Sequence, residues 1–194
     1  MIIEDGKGSG VKVGVTSENR IQTESIISSI EHHINHHDEE AYSLTFNQSP
    51  TAGDDCIFYL RNTKDKDLTV EGFLFGFKNA SAVDAELYIK VGCAGTRNAA
   101  TTLTAANLNA GSGKTAEGDF EKGADLDGGA ATLSGGTEVM RFLFANIQDL
   151  ETKSINFEQD LIIPKNQTMT FWASDAGATY YFTLLFNYHS KDFS

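Results

Sequence analysis

The chain has 194 residues, 40% of them hydrophobic, thirteen of them Phe, and a formal net charge of −12. This is enough apolar material for one domain with a real core and an appended arm, which argues against disorder throughout. Phosphate backbones require clustered Lys and Arg, and no basic patch breaks the acidity, so nucleic acid is not an expected partner.

The first forty residues stand apart. Met1-Ile2-Ile3-Glu4-Asp5 lacks the basic start and long apolar run of a signal peptide. Nowhere do about 18 apolar residues follow one another, so no membrane span is expected. "GKGSG" is flexible, and "VKVGV" and "RIQTESI" are short strand candidates without a clear turn between them. Residues 1–40 therefore read as an N-terminal arm and junction that takes its partners from elsewhere.

The junction carries "EHHINHHDEE", with four of the five histidines of the chain. Read as a helix, Ile26, Ile30 and Ile34 form one stripe, and His32/His36 and His33/His37 are i,i+4 pairs. Read as a strand, His32 and His36 share one face and His33 and His37 the other. Such pairs can chelate zinc, but a site wants a third or fourth protein ligand. A connecting segment is the preferred reading; metal shared between chains and a pH switch are the alternatives. Ile26, Ile30 and Ile34 are the expected contacts with a neighbouring subunit or a larger assembly. Asp38, Glu39 and Glu40 are expected to make only exposed pairs with the histidines, worth about 0–1 kcal/mol.

From Ala41 the pattern is β. "AYSLTFN", "DCIFYLRN", "DLTVEGFLFGF" and "DAELYIKVG" alternate or run apolar over strand length, separated by turn clusters rich in Asn, Asp, Ser and Gly. Cys56 and Cys93 fall in or beside these runs. They are too few for a disulfide framework and read as buried free thiols.

Between about Gly92 and Gly136 the large apolar residues thin out, and Gly, Ala, Thr, Asn and Asp dominate. Long loops with short strands at one end of the sandwich are expected there, as a possible binding surface. "AGSGKT" resembles the end of a P-loop, but Leu108 stands where that motif needs its first glycine, so nucleotide binding is not expected at Gly111–Thr115. In "GADLDGG", Asp125 and Asp127 flank one residue, with Asp119 and Glu121 nearby. They are weak calcium candidates, because no Glu stands at the twelfth position that an EF-hand requires. A solvated acidic loop is preferred, and neither metal nor cofactor is expected.

Four further strands follow: "TEVMRFLFANI", "KSINFEQDLIIP", "QTMTFWASD" and "TYYFTLLFNYHS". In the last, Tyr180, Phe182, Leu184, Phe186 and Tyr188 share one face, and Tyr181, Thr183, Leu185, Asn187 and His189 the other. The first face is core; the second is mixed enough to meet a neighbouring subunit or water. Pro164 belongs at a strand end, with Asn166-Gln167 turning the chain. About eight strands with short turns give an all-β, antiparallel β-sandwich over residues 41–194, with a jelly roll as the expected topology. No Gly-x-Ser-x-Gly elbow or cysteine signature points to catalysis, and chance carboxylate pairs are common among 27 acids.

Four segments, "EHHINHHDEEAYSL", "AGDDCIFYLRNTKDKDLTVEGF", "TLTAANLNAGSGKTAEG" and "DLIIPKNQTMTFW", resemble a group of tailed-bacteriophage virion structural proteins. The likeness spans most of the chain with its segments in order. It implies a non-enzymatic β-sandwich, commonly trimeric, that decorates a capsid as a cement protein and contacts the major capsid protein. The alternative that it implies is a receptor- or glycan-binding module of a fibre or tail. The group offers no catalytic residues to carry over. Assembly in a bacterial cytoplasm, then residence on the outer surface of the virion, agrees with free thiols.

Overall fold

Strict alternation of large apolar and small or polar residues gives each long strand one face for a core and one for its surroundings. The computed structural model describes residues 3–4, 12–13, 35, 38–51, 53–78, 84–144 and 152–189. It divides into two units, Met1–Ile30 and Glu31–Ser194. Residues 31–40, assigned to the arm from the sequence, thus fall in the second unit.

In the first unit, β1 (Ile3–Glu4) pairs antiparallel with β2 (Lys12–Val13), with Ile3 opposite Val13. Part of "VKVGV" therefore finds a partner within its own chain. Ile26, Ile30, Ile34, His32, His33, His36 and His37 lie outside the described residues.

The second unit is all-β. Its strands are β3 (Ala41–Gln48), β4 (Asp55–Asn62), β5 (Asp67–Phe77), β6 (Ala85–Ala94), β7 (Thr101–Thr102), β8 (Ala106–Asn107), β9 (Gly118–Lys122), β10 (Ser134–Phe144), β11 (Thr152–Ile163), β12 (Thr168–Ala173) and β13 (Tyr180–His189). They form two antiparallel sheets packed face to face as a sandwich. One has the order β11-β5-β13-β3-β8, the other β10-β6-β12-β4-β9-β7. The eight long strands match the eight apolar runs of the sequence. Each passes to the opposite sheet from the one before it, except at the return from β6 to β10.

Aromatic rings fill the space between the sheets. Phe46 of β3 and Phe182 of β13 stack 4.9 Å apart, and Phe46 reaches Phe58 of β4 at 4.7 Å. Phe171 of β12 then joins Phe58, Phe73 and Phe182 at 5.1–5.4 Å. Such contacts add about 0.5–1.5 kcal/mol each beyond simple burial. β4 carries a bulge opposite Phe171 and Trp172, which lets the adjacent Ile57 and Phe58 both enter this core.

The turns at one end are tied by a single buried amide. Asn62 donates through Nδ2 to the Lys66 and Ile163 carbonyls at 2.8 and 2.9 Å and accepts from the Lys64 N–H. Pro164 follows β11, as the sequence suggested, and Asn166 takes the left-handed conformation (φ 65°) that turns the chain into β12.

Residues 95–133 depart from the expectation of loops at one end. β9 extends the six-stranded sheet beside β4, and β8 extends the other beside β3. Residues 103–117 lie at the edge beside β3 and β13, and the turn around 124–133 folds over the outer face of the six-stranded sheet. There Leu126 and Leu133 bury themselves with Cys56, Tyr59, Tyr88, Cys93 and Trp172. The composition that cannot build a core of its own borrows one from the back of a sheet. Both thiols are free and buried, and burial pushes Cys56 well above its ordinary pKa, so it stays protonated and unreactive.

Phe171→Ala should cost about 3–5 kcal/mol in denaturant unfolding, because the cavity would open where four rings converge. Leu143→Ser, at a side chain 71% exposed on β10, should stay within about 0.5 kcal/mol.

Candidate functional site

Three regions concentrate chemistry among the described residues: the carboxylates beside β4, the anchor at the start of β3, and the two outer sheet faces.

Asp55, Asp125 and Asp127 each offer a carboxylate oxygen, all within 4.8 Å of one another. The turn holding Asp125 and Asp127 is pinned to β4 by reciprocal bonds. The Leu126 N–H donates to the Cys56 carbonyl at 2.9 Å, and the Cys56 N–H donates to Asp127 Oδ1 at 2.7 Å. Asp55 accepts the Thr51 N–H, and Asp125 accepts from the Gly128 backbone. A Cβ at 128 would push the Asp125 carboxylate aside, so glycine there lets that carboxylate lie against the turn. Each acid thus already terminates a backbone donor. The donor type suits a hard divalent cation, but calcium takes six to eight oxygens, more than three partly engaged carboxylates supply.

Two of these three acids, Asp125 and Asp127, stood out in the sequence as weak calcium candidates. Their sequence neighbours Asp119 and Glu121 do not join them. They turn instead to Arg61 at 3.9 Å and to Arg97 at 2.5 Å. Asp55 was missed because some 70 residues separate it from the turn it meets, and no local signal spans that gap.

The second region corrects an expectation. Glu40 is not an exposed partner of the histidines; it is 4% exposed and held by lysines. Lys66 Nζ lies 2.6 Å and Lys64 Nζ 3.2 Å from its carboxylate, with Lys114 Nζ at 3.9 Å. Lys114, the lysine of the P-loop-like turn, also donates to the Asp38 carbonyl. The Glu40 carbonyl accepts the Tyr188 N–H, and the Tyr188 hydroxyl donates to the Glu117 carbonyl. The chain leaving the histidine segment is therefore clamped where it enters β3.

The outer faces of the two sheets differ in character. On the six-stranded sheet, Trp172 and Tyr88 stack nearly parallel, with Lys90 Nζ 4.1 Å above the indole and the Arg141 guanidinium 4.6 Å from the Tyr88 ring. Arg141 also pairs with Glu86 and Glu138, and burial together with Asp54 pushes the Tyr88 phenol up to about 12. Rings, cations and acids interlock across this face.

The five-stranded sheet is different. Its outward positions form three rungs across β11, β5, β13 and β3: Thr152–Gly76–Tyr181–Asn47, Ser154–Leu74–Thr183–Thr45 and Asn156–Gly72–Leu185–Ser43. None of the twelve is Asp, Glu, Lys, Arg or His. Beyond the third rung Glu71 accepts from Asn187, and at the edge of the first rung Lys122 Nζ donates to the Asn47 carbonyl. This is the mixed face foreseen for residues 180–189.

No family model matches the chain, and no curated protein matches it. Among the described residues, no helix is long and apolar enough to cross a membrane.

The buried and clustered acids make stability depend on pH in opposite directions. Burial alone would raise the Glu40 carboxyl, yet hydrogen bonds from Lys66 and Lys64 hold it below its ordinary value near 4.5. A lowered carboxyl stabilises the fold above its unfolded-state pKa, and that contribution fades as pH falls through the lowered value. Glu40→Gln should therefore cost about 1–3 kcal/mol at pH 7, measured by urea melts, and progressively less as the pH drops below about 4.

Asp125 runs the other way. Burial, then Asp55 and Asp127, raise its pKa, so its charge costs stability once pH rises through that value. Asp125→Asn should melt higher than the parent at pH 7 and no higher at pH 3. Adding chelator to the parent should leave its melting temperature within about 5 °C, because aromatic burial carries the fold.

Proposed function

We propose that the sandwich is a jelly roll and that the protein is a non-enzymatic structural component of a tailed-phage virion. In its most concrete form it is a homotrimeric decoration protein that cements the outer surface of the head against the major capsid protein. The observation that carries this reading is the strand order. In two sets of four long strands, β11-β5-β13-β3 and β10-β6-β12-β4, the chain changes sheet at every step but β6 to β10, with the first long strand beside the last. This is the interleaving that two Greek keys produce, and jelly rolls recur in viral capsid domains. The step from fold to role is an analogy of fold, joined to the likeness of four sequence segments to virion proteins. A rigid core packed with rings and a strongly acidic exterior suit a protein present in many copies that must stay soluble before it assembles.

Lectin domains share this architecture, which keeps a second reading in view: a glycan-binding module of a fibre or tail. The Gly-, Asn- and Asp-rich segment 92–136, expected from the sequence as a binding surface, is what favours it; Trp172 and Tyr88 are 6% and 5% exposed and offer no open ring face. Copy number separates the two. In purified virions, quantified gels and an electron-microscopy map should show hundreds of copies in register with the capsid lattice. A handful of copies confined to the tail would replace decoration with adsorption.

A further inference from the structure

We infer that the uncharged outer face of the five-stranded sheet is where a neighbouring copy of this chain seats itself. The inference rests on the homotrimer proposed above and names the surface through which it forms.

Two features single out the face. The first is its apolar content. Leu74 and Tyr181, both on the three rungs, are 39% and 40% exposed. Leu185 lies half-buried beside them, one rung from Leu74 on the adjacent strand. Between them stand glycines and short hydroxyl side chains, including the Thr45–Thr183 pair at 3.2 Å. The surface is flat, and little side-chain entropy is lost on covering it.

The second feature is charge, and it selects the occupant. A chain with net charge −12 repels its own copies at almost every approach. Bringing carboxylates together at a desolvated contact costs several kcal/mol, and interfaces are depleted of charge at their cores. The other outer face carries Glu86, Glu138 and Glu121 amid their arginines, so two copies meeting there would bury or oppose ionised groups. These twelve outward positions, none of them Asp, Glu, Lys, Arg or His, form a broad neutral region, and in a ring of three one part of it meets a different part of the next copy's. A basic partner would instead gain from acidic positions, which this face withholds. The match is of the chain with itself.

The test introduces charge without touching the core. Leu74→Glu and Thr183→Glu each change an outward side chain at the centre of the face, and Leu143→Glu makes the same change on the opposite sheet. Mass is read by light scattering on the full chain over a range of protein concentrations, and folding by a cooperative melt. The parent and Leu143→Glu should be trimers. Leu74→Glu and Thr183→Glu should dissociate at concentrations at least about tenfold higher, with the loss eased by salt. Leu74→Gln, of similar length without charge, should stay close to the parent. A trimer that survives both Glu substitutions would overturn this face as the interface while leaving the trimer intact. A parent that is monomeric throughout would overturn the trimer itself. If Leu74→Glu does not melt cooperatively, Thr183→Glu and its charge-neutral partner Thr183→Gln carry the same comparison.

Discussion

The layer of rings between the two sheets is what every other feature depends on. Phe46, Phe58, Phe73, Phe171 and Phe182 come from five strands, and each touches rings supplied by the opposite sheet. Because the side-chain period of a strand is two, committing these residues inward also commits their neighbours outward. A register slip of one residue would exchange the faces and expose the rings. The aromatic layer thus sets the register of each strand, and through the register it composes both outer surfaces.

Those surfaces are put to different uses. On the six-stranded sheet the outward residues are large, and the chain between β6 and β10 returns to cover them with Leu126 and Leu133. β12 is buried along its whole length as a result, with Thr168, Thr170 and Trp172 enclosed on the side away from the main core. Their polar atoms are satisfied within the sheet: Trp172 Nε1 donates to Thr170 Oγ1 at 2.9 Å and Thr168 Oγ1 to the Cys93 carbonyl at 2.7 Å. On the five-stranded sheet the three central rungs are uncharged and mostly short side chains, with Leu74 and Tyr181 exposed among them. The covered face gives stability. The other face keeps its side chains in the open.

Charge is divided in the same way between separate tasks. The most buried acid, Glu40, is surrounded by three lysines at the point where the chain enters β3. Breaking a buried pair of this kind is costly because the remaining charge is left in a poorly solvated place. The acids of the 125–128 turn and Asp55 do different work, each terminating a backbone N–H that would otherwise go unpaired.

Sequence alone determined the strands. Eight apolar runs divided by turn residues correspond to eight long strands, and the alternation in residues 180–189 named the inward face of β13 correctly. Pro164 at a strand end and two free thiols were legible for the same reason: each follows from chemistry within a few residues. The tertiary structure alone decided what depends on distant partners. Asp55 joins Asp125 and Asp127 only because β4 lies beside the returning turn. Glu40 read as a solvent-exposed acid because Lys64, Lys66 and Lys114 are brought to it by separate turns. The neutrality of the five-stranded face was invisible for a similar reason, since its rungs are assembled from four strands that the sequence keeps far apart. Local periodicity says which way a side chain points; only the order of strands says what it will meet there.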